Sequence, residues 1–388
     1  MTAQMTAVLP PAVLPPAVVR RRRAELVRRL SEAGSVTDVF EVASRRLHDL
    51  VAHDAAAWLM ADPATGLPGA PSLLDGFTAP AAVCTEHWNR EFVENDVNGF
   101  RQLARADSPA AALRATVVDP ERSSRYRWFV RPLGFADELR AVMRAGERPW
   151  AMVTLWRREG RPAFSAAEAE LVAGLSVPLT GALQRCVRED HPADVAGGGD
   201  RPGLLMFDEQ DRLVSVNEHA AAWLDELPQQ ELVPTSFGLP VPVWLLVTAA
   251  RARGSLLTGG DGIARTRVRS RRGRWLVGHA TTTRGPDGSP AGTAVVVEPA
   301  GPAVMAPVIA EAYGLTEREQ EITAQIARGA GTNEIANALF LSPHTVRDHV
   351  KSILSKVGVR SRGELVATLY LDHLEPAHFA GLRVSGDG

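Results

Sequence analysis

The residues of this chain best spaced to do chemistry lie between Ser342 and Arg362. His344, Arg347, Asp348, Lys351 and Ser355 recur every three or four positions and so share one face of a helix. Val346, Val350, Ile353, Leu354 and Val357 recur with the same period on the opposite face. One side can therefore be buried while the other presents donors and acceptors. Arg347 and Lys351 can donate to guanine O6 and N7, Asp348 can accept from cytosine N4, and His344 stands one turn earlier on the same face. Ser342, Thr345, His349, Lys356, Arg360 and Arg362, with Thr332 one element earlier, suit phosphate oxygens, which fix register without reading sequence. Taken singly, each of these side chains would do no more than meet water. Their joint order on one face is what points to nucleic acid.

Stepping from side chains to the elements that carry them, Thr316 followed by Glu319 is a capping box that opens a helix with Ile322 and Ile326 on one face. Gly329 to Gly331 can end it, and Thr332 is the expected N-cap of a short helix whose inward face is Ile335, Ala336 and Leu339. Phe340 and Leu341 make a turn. Ser342 is then an N-cap with Pro343 at the first helical position, where the missing N–H costs nothing. Gly358 stops that helix, and Ser361 with Glu364 opens a last one carrying Leu365, Val366, Leu369 and Tyr370. A short bracing helix, a tight turn and a two-faced helix are what insertion into the major groove requires.

This stretch resembles the LuxR-type (equally FixJ/NarL-type) helix-turn-helix of bacterial transcription regulators. The resemblance rests on LTEREQEI, Gly329 followed by NEIA, LFLSPHTV, His349, Lys356 to Val359, and Ser361-Arg362, over about 60 ungapped residues. It implies that Arg347, Asp348 and Lys351 face bases. It also implies that Val366, Leu369 and Tyr370, on the last helix, belong to a self-interface. Ala330-Gly331 replaces a usually bulkier pair, and Asp348 puts an acid where neutral or basic residues are common.

The chain has 388 residues and a formal net charge of −2, so its basic face is local and the whole is not a polyanion coat. Two distant cysteines, Cys84 and Cys186, exclude a disulfide scaffold and fit a reducing, cytoplasmic compartment. VLPPAVLPPAVV at the start is interrupted by prolines and followed by its arginines, which suits a tail and not an export signal. No apolar run reads as a membrane span. Cys84 and His87 lie three apart, yet one Cys and one His do not close a zinc tetrahedron. The nucleophile elbow, phosphate loop, zincin and kinase signatures are all missing, so no catalytic, metal or cofactor residue is assigned.

Residues 19–190 alternate helices with strands: Leu26/Leu30 and Val36 to Leu47 mark two helices, DAAAWLM a strand, and Cys84 to Val97 a helix. Residues 98–135 read as irregular. DELRAVMRA and PWAMVTLWRR form a hairpin, and Ser165 opens a closing helix. The pattern resembles a GAF domain, most of all from Glu138 to Val187. After a glycine-rich linker at 191–202, residues 203–300 give two strands, helices, then three strands. Their order and the strand–NEHAA–helix start resemble a PAS domain, with Trp223, Trp244 and Trp275 as candidate pocket residues.

The expected architecture is therefore multidomain: a tail (1–18), an α+β GAF-like sensor (19–190), a linker (191–202), an α+β PAS-like sensor (203–300), a connector (301–312), an all-α four-helix LuxR-type reader (313–375) and a tail (376–388). The expected function is a non-enzymatic regulator that binds double-stranded DNA as a homodimer, gated by a small-molecule ligand or a protein partner, with RNA polymerase as a further partner and no membrane. The alternative is a sensory protein-interaction module that binds no specific DNA.

Overall fold

A computed structural model describes residues 15–78, 80–189, 201–228 and 232–371. These fall into two compact units divided between Leu183 and Gln184, apart from two short segments. The expected N-terminal tail begins to be described only at Pro15, and most of the expected linker, with the tail after 371, lies outside the described residues.

The first unit opens with helices α1 (Pro16–Glu32) and α2 (Val36–His48). Proline sits at the first turn of α1, so this helix begins earlier than the leucine spacing alone marks it. The strands are β1 (Ala55–Ala61), β2 (Pro68–Asp75), β3 (Ala110–Ala112), β4 (Phe135–Ala145) and β5 (Arg148–Arg158), paired antiparallel in the order β2-β1-β5-β4-β3. Helices α3 (Ala81–Val93), α4 (Phe100–Arg105), α5 (Leu113–Thr116), α6 (Ala166–Ala173) and α7 (Ser176–Glu189) complete the unit, although the last residues of α7 pass into the second. Every residue of β1 is buried, because both faces of the strand are covered. Successive side chains point to opposite faces. Trp58 meets Phe40 of α2, with ring centroids 6.2 Å apart, while its neighbours Ala57 and Leu59 face the side of α3.

Residues 98–135, expected to be irregular, hold α4, β3 and α5, each too short to show a period. What orders them is a buried ionic cluster. Arg125 Nε donates to Glu138 Oε1 at 2.9 Å, and the Arg125 backbone N–H donates to Asp96 Oδ2 at 2.7 Å. Arg140 Nη2 donates to Glu91 Oε2 at 2.9 Å while its guanidinium lies over the Phe100 ring. Strand β2 has no strand signal in the sequence: it contains Pro68 and Pro71, which a sheet tolerates at an edge, and β2 is an edge strand.

The second unit contains β6 (Gly203–Phe207), β7 (Leu213–Val216), α8 (Glu218–Glu226), α9 (Val243–Leu257), β8 (Ile263–Arg269), β9 (Trp275–Arg284) and β10 (Pro290–Pro299), in the order β8-β9-β10-β6-β7. Numbered within its own unit, each sheet has the same order, 2-1-5-4-3, so the GAF-like and PAS-like folds share one strand topology. Asn217 caps α8 by accepting the Ala220 N–H at 3.0 Å. Helix α9 lies across β8, β9 and β10. Gly278 permits that approach, since a Cβ there would come 3.2 Å from Leu245 Cδ1. Helix α10 (Pro302–Ala312) leads into the helical domain: α11 (Glu317–Ala327), α12 (Thr332–Ala338), α13 (Pro343–Val357) and α14 (Arg362–Val366), continued by a wider turn at Ala367–Leu371.

One expectation is corrected here. The stretch Ala166–Glu189 is long and apolar enough to span a membrane by length and composition. Its apolar residues belong to α6 and α7, where Val172, Leu179 and Leu183 are buried in the protein core, which explains the composition without a bilayer.

Candidate nucleic-acid interface

The Thr316 hydroxyl accepts the Glu319 N–H at 3.3 Å, and the Glu319 carboxylate accepts the Thr316 N–H at 2.8 Å, so the expected capping box starts α11. Glu319 does more than cap. Its carboxylate also accepts from Ser352 Oγ at 2.8 Å and from Lys356 Nζ at 2.6 Å, both on α13. Burial alone would push this carboxyl up. The donors from Lys356, Thr316 and Ser352 outweigh it and hold the group at about 2, from an ordinary 4.5. Helix α13 is thereby clamped to α11.

Helix α12 is capped by Gly331 and not by Thr332, which is its first helical residue. The Glu334 carboxylate accepts the Gly331 N–H at 2.7 Å, and this leaves the Thr332 hydroxyl to accept from Arg362 Nη2 at 2.9 Å. The turn into α13 puts Phe340 at φ +54°, the left-handed region, and leaves the residue 95% exposed. Leu341 N–H closes the turn onto Ala336 O at 2.8 Å. Sequence reasoning placed the turn at Phe340 but missed that an aromatic ring would project from it. A residue required to take positive φ between two buried stripes was the available signal.

Ser342 accepts the Thr345 N–H at 3.0 Å, Pro343 occupies the first turn, and Gly358, at φ +80°, ends α13 by donating to Leu354 O at 2.9 Å. Val346, Val350, Ile353 and Val357 are buried. His344, Arg347, Asp348, Lys351 and Ser355 are exposed, together on the outer face. His344 Nδ1 lies 3.0 Å from Asp348 Oδ2, an i,i+4 pair that orients both.

The flanking residues divide. Ser342 and Arg360 are exposed, and Thr345 and His349 are half-buried beside the reading face. Lys356 and Arg362 are used inside the fold: Lys356 on Glu319 and Gly314 O, Arg362 on Thr332 and Ala330 O. On the last helix, Leu369 is fully buried, while Val366 and Tyr370 are half-buried. The turn carrying Leu369 lies against α10. Ser361 accepts the Glu364 N–H, but the Glu364 carboxylate turns to the Arg360 N–H instead of closing a capping box.

The three tryptophans of the PAS-like fold have packing partners. Trp223 donates from Nε1 to Arg201 O at 2.9 Å and carries the Arg274 guanidinium over its ring. Trp244 is buried beside Gly278, and Arg269 lies over Trp275. Among the described residues no three His, Cys, Asp or Glu side chains gather as a metal set.

A buried stripe, a polar outer stripe, a capped start and a bracing helix across a tight turn define a helix-turn-helix, a DNA-binding class. The family model described as bacterial regulatory proteins, luxR family, matches residues 314–369. The chain is 40% identical over 55 residues to the spore germination protein GerE of Bacillus subtilis (strain 168), covering 14% of this chain and 74% of GerE. It is 43% identical over 60 residues to the uncharacterized transcriptional regulatory protein YhcZ of the same organism, covering 15% of this chain and 28% of YhcZ. Among solved structures, a GAF domain from an Acinetobacter phosphoenolpyruvate-protein phosphotransferase aligns with 43% of this chain and 94% of its own, at 12% identity and a TM-score of 0.30. The chain belongs to the luxR family of bacterial regulatory proteins, and its C-terminal domain is the helix-turn-helix of that family. It spans only about a quarter of the length of the first curated relatives it matches.

Proposed function

We propose that this protein is a cytoplasmic transcription regulator that reads duplex DNA through α13 and is gated by its GAF-like and PAS-like units. The observation that carries the reading is the outer face of α13, where Arg347, Asp348 and Lys351 stand exposed above a fully packed stripe. Arg347 and Lys351 supply guanine-directed donors and Asp348 a cytosine-directed acceptor, with His344 holding Asp348 in place. Ser342, Thr345, His349 and Arg360 surround that face and would engage phosphates. For Lys356, Thr332 and Arg362 a phosphate role requires giving up the internal partners described above, so their proposed part is to hold the domain's shape.

The regulator acts as a homodimer, two recognition helices entering successive major grooves about one turn apart. Val366 and Tyr370 supply the exposed part of the self-interface, and Leu369 supports it from beneath. A small molecule or a protein partner shifts the sensor units between two arrangements, of which one favours the dimer on DNA; RNA polymerase is the expected downstream partner. The test is the affinity of the full chain for genomic duplex fragments across a salt series. Affinity that falls steeply with salt supports phosphate contact, and salt-independent or absent binding sinks the reading.

A further inference from the structure

Helices α10, α11, α12 and α13 all end in the same turn, in which a backbone N–H just beyond the helix returns to a carbonyl of its last turn. Leu315 N–H donates to Ala310 O at 3.1 Å, Ala330 N–H to Gln325 O at 3.1 Å, Leu341 N–H to Ala336 O at 2.8 Å and Val359 N–H to Leu354 O at 3.0 Å. The turn sends the residue before that donor into the left-handed region. Glycine fills the position after α10, α11 and α13, with Gly314 at φ +69°, Gly329 at +85° and Gly358 at +80°. After α12 the residue is Phe340, at φ +54°. A bulky side chain is strained there, and glycine would relieve the strain without loss of a hydrogen bond.

The core gains nothing from this side chain. Phe340 is 95% exposed, and the exposed residues on either side of it, Asn337, Ala338, Ser342, Pro343 and His344, carry no large apolar group. Among the described residues of the helical domain no other large apolar side chain is exposed, so Phe340 is not part of an apolar patch of the kind that seats a protein partner. The backbone is pinned on both sides: Arg318 Nη2, from α11, donates to Leu339 O, and the Leu341 N–H is held by Ala336 O. The turn therefore fixes Phe340 at the N-terminal end of α13, beside the Ser342 cap and the exposed His344. In a helix-turn-helix that end of the second helix meets the base edges of the major groove.

Resting on the reading of α13 as the helix that enters the groove, we infer that Phe340 is a specificity-determining residue whose ring covers the 5-methyl group of a thymine in the bound duplex. A phenyl ring has neither charge nor donor for a phosphate oxygen, so backbone positioning is not its task. On the base edges of the major groove the apolar group is the thymine methyl, and Phe is among the side chains that suit it. The exposed face of α13 offers the charged and hydrogen-bonding groups of His344, Arg347, Asp348 and Lys351, and Phe340 adds the apolar contact that they do not make. The strain held in the turn is then offset when the ring leaves water against that methyl.

In the experiment the full chain selects its preferred duplex from a random pool, and each thymine of that duplex is then replaced in turn by uracil, which removes the methyl alone. Affinities are measured for the wild type, Phe340→Gly and Phe340→Leu. In the wild type one uracil position should weaken binding about three- to fivefold, the effect of one buried methyl. Phe340→Gly should bind the unmodified duplex about tenfold more weakly and be indifferent to uracil at that position. Phe340→Leu keeps an apolar group and should retain the response. Hydrogen exchange of the α12 and α13 peptides should be no faster in Phe340→Gly than in the wild type, because glycine suits the turn, and this separates a lost contact from a lost fold. Unchanged affinity of Phe340→Gly, no responding thymine, the same response in Phe340→Gly, or faster exchange in that variant would overturn the assignment. The selection step tells the two failures apart: a selected duplex with no responding thymine removes the role of Phe340 alone, whereas no selected duplex removes the groove-reading role of α13 with it.

Discussion

Glu319→Gln tests whether the recognition helix is held by one buried carboxylate. Glu319 is 5% exposed at its side chain and joins the start of α11 to Ser352 and Lys356 of α13. Its folded value of about 2 lies below the ordinary 4.5, so its contribution to stability is fully present above about 4.5 and is lost as pH falls through about 2. The whole shift corresponds to about 3 kcal/mol. Lys356 is 36% exposed, and solvent screening reduces the realised value to about 1–2 kcal/mol. Glutamine keeps one acceptor oxygen but replaces the charge opposite Lys356 with a neutral amide. Hydrogen exchange followed by mass spectrometry on the full chain, corrected for intrinsic rates, reads the opening of α11 and α13 peptides. At about pH 7 the variant should open roughly 5 to 30 times more often than the wild type. By about pH 3 more than half of that difference should have disappeared, because the wild type is then losing the same charge effect. Equal protection at neutral pH, or a difference undiminished in acid, would refute the clamp.

Arg347→Ala should cost about 1–3 kcal/mol on the specific site and relax preference at one base position, read by competition binding against scrambled duplexes; a uniform loss across all sequences would reassign Arg347 to phosphate. Ser342→Ala removes the acceptor for the Thr345 N–H and should destabilise the first turn of α13 by about 1 kcal/mol, visible as faster exchange confined to that turn. Val366→Asp should weaken self-association without unfolding the domain, since Val366 is half-buried; sedimentation showing an unaltered dimer would move the interface elsewhere. Leu369→Ala, at a fully buried position, should instead lower the stability of the domain by about 2–4 kcal/mol, which thermal unfolding measures.

What could be read from the chain follows from the range of the interactions involved. Helix starts and stops depend on residues three or four apart, so Thr316, Ser342, Gly358 and Asn217 identified their caps directly. The two faces of α13 were legible for the same reason: burial follows the 3.6-residue period. Thr332 shows where local rules stop. Hydroxyl type favours an N-cap, but Glu334 satisfies the Gly331 N–H and Arg362, thirty residues on, takes the hydroxyl. Lys356 fails similarly. A lysine near DNA-facing residues suggests phosphate, and only the fold brings Glu319 to within 2.6 Å of it.

The aromatic-lined space beside α3 was illegible for a stronger reason. It depends on Ala57 and Thr154, nearly a hundred residues apart, meeting in register, and on a ring from each of several elements closing around them. No periodicity encodes that coincidence. By spacing alone Cys84 and His87 suggest an incomplete metal set, and the tryptophans of residues 203–300 stand as the pocket candidates. The structure places Cys84 and His87 on the wall of an aromatic cavity instead. Burial, and then the charges of Arg140 and Arg125, hold the His87 ring well below its ordinary range. The same side chain that by spacing suggests an incomplete ligand set is, in the fold, stacked on the Phe129 ring with centroids 4.3 Å apart. Trp156, which lines the same space, lies 69 positions later in the chain, which is why only the folded protein brings the two rings to one wall.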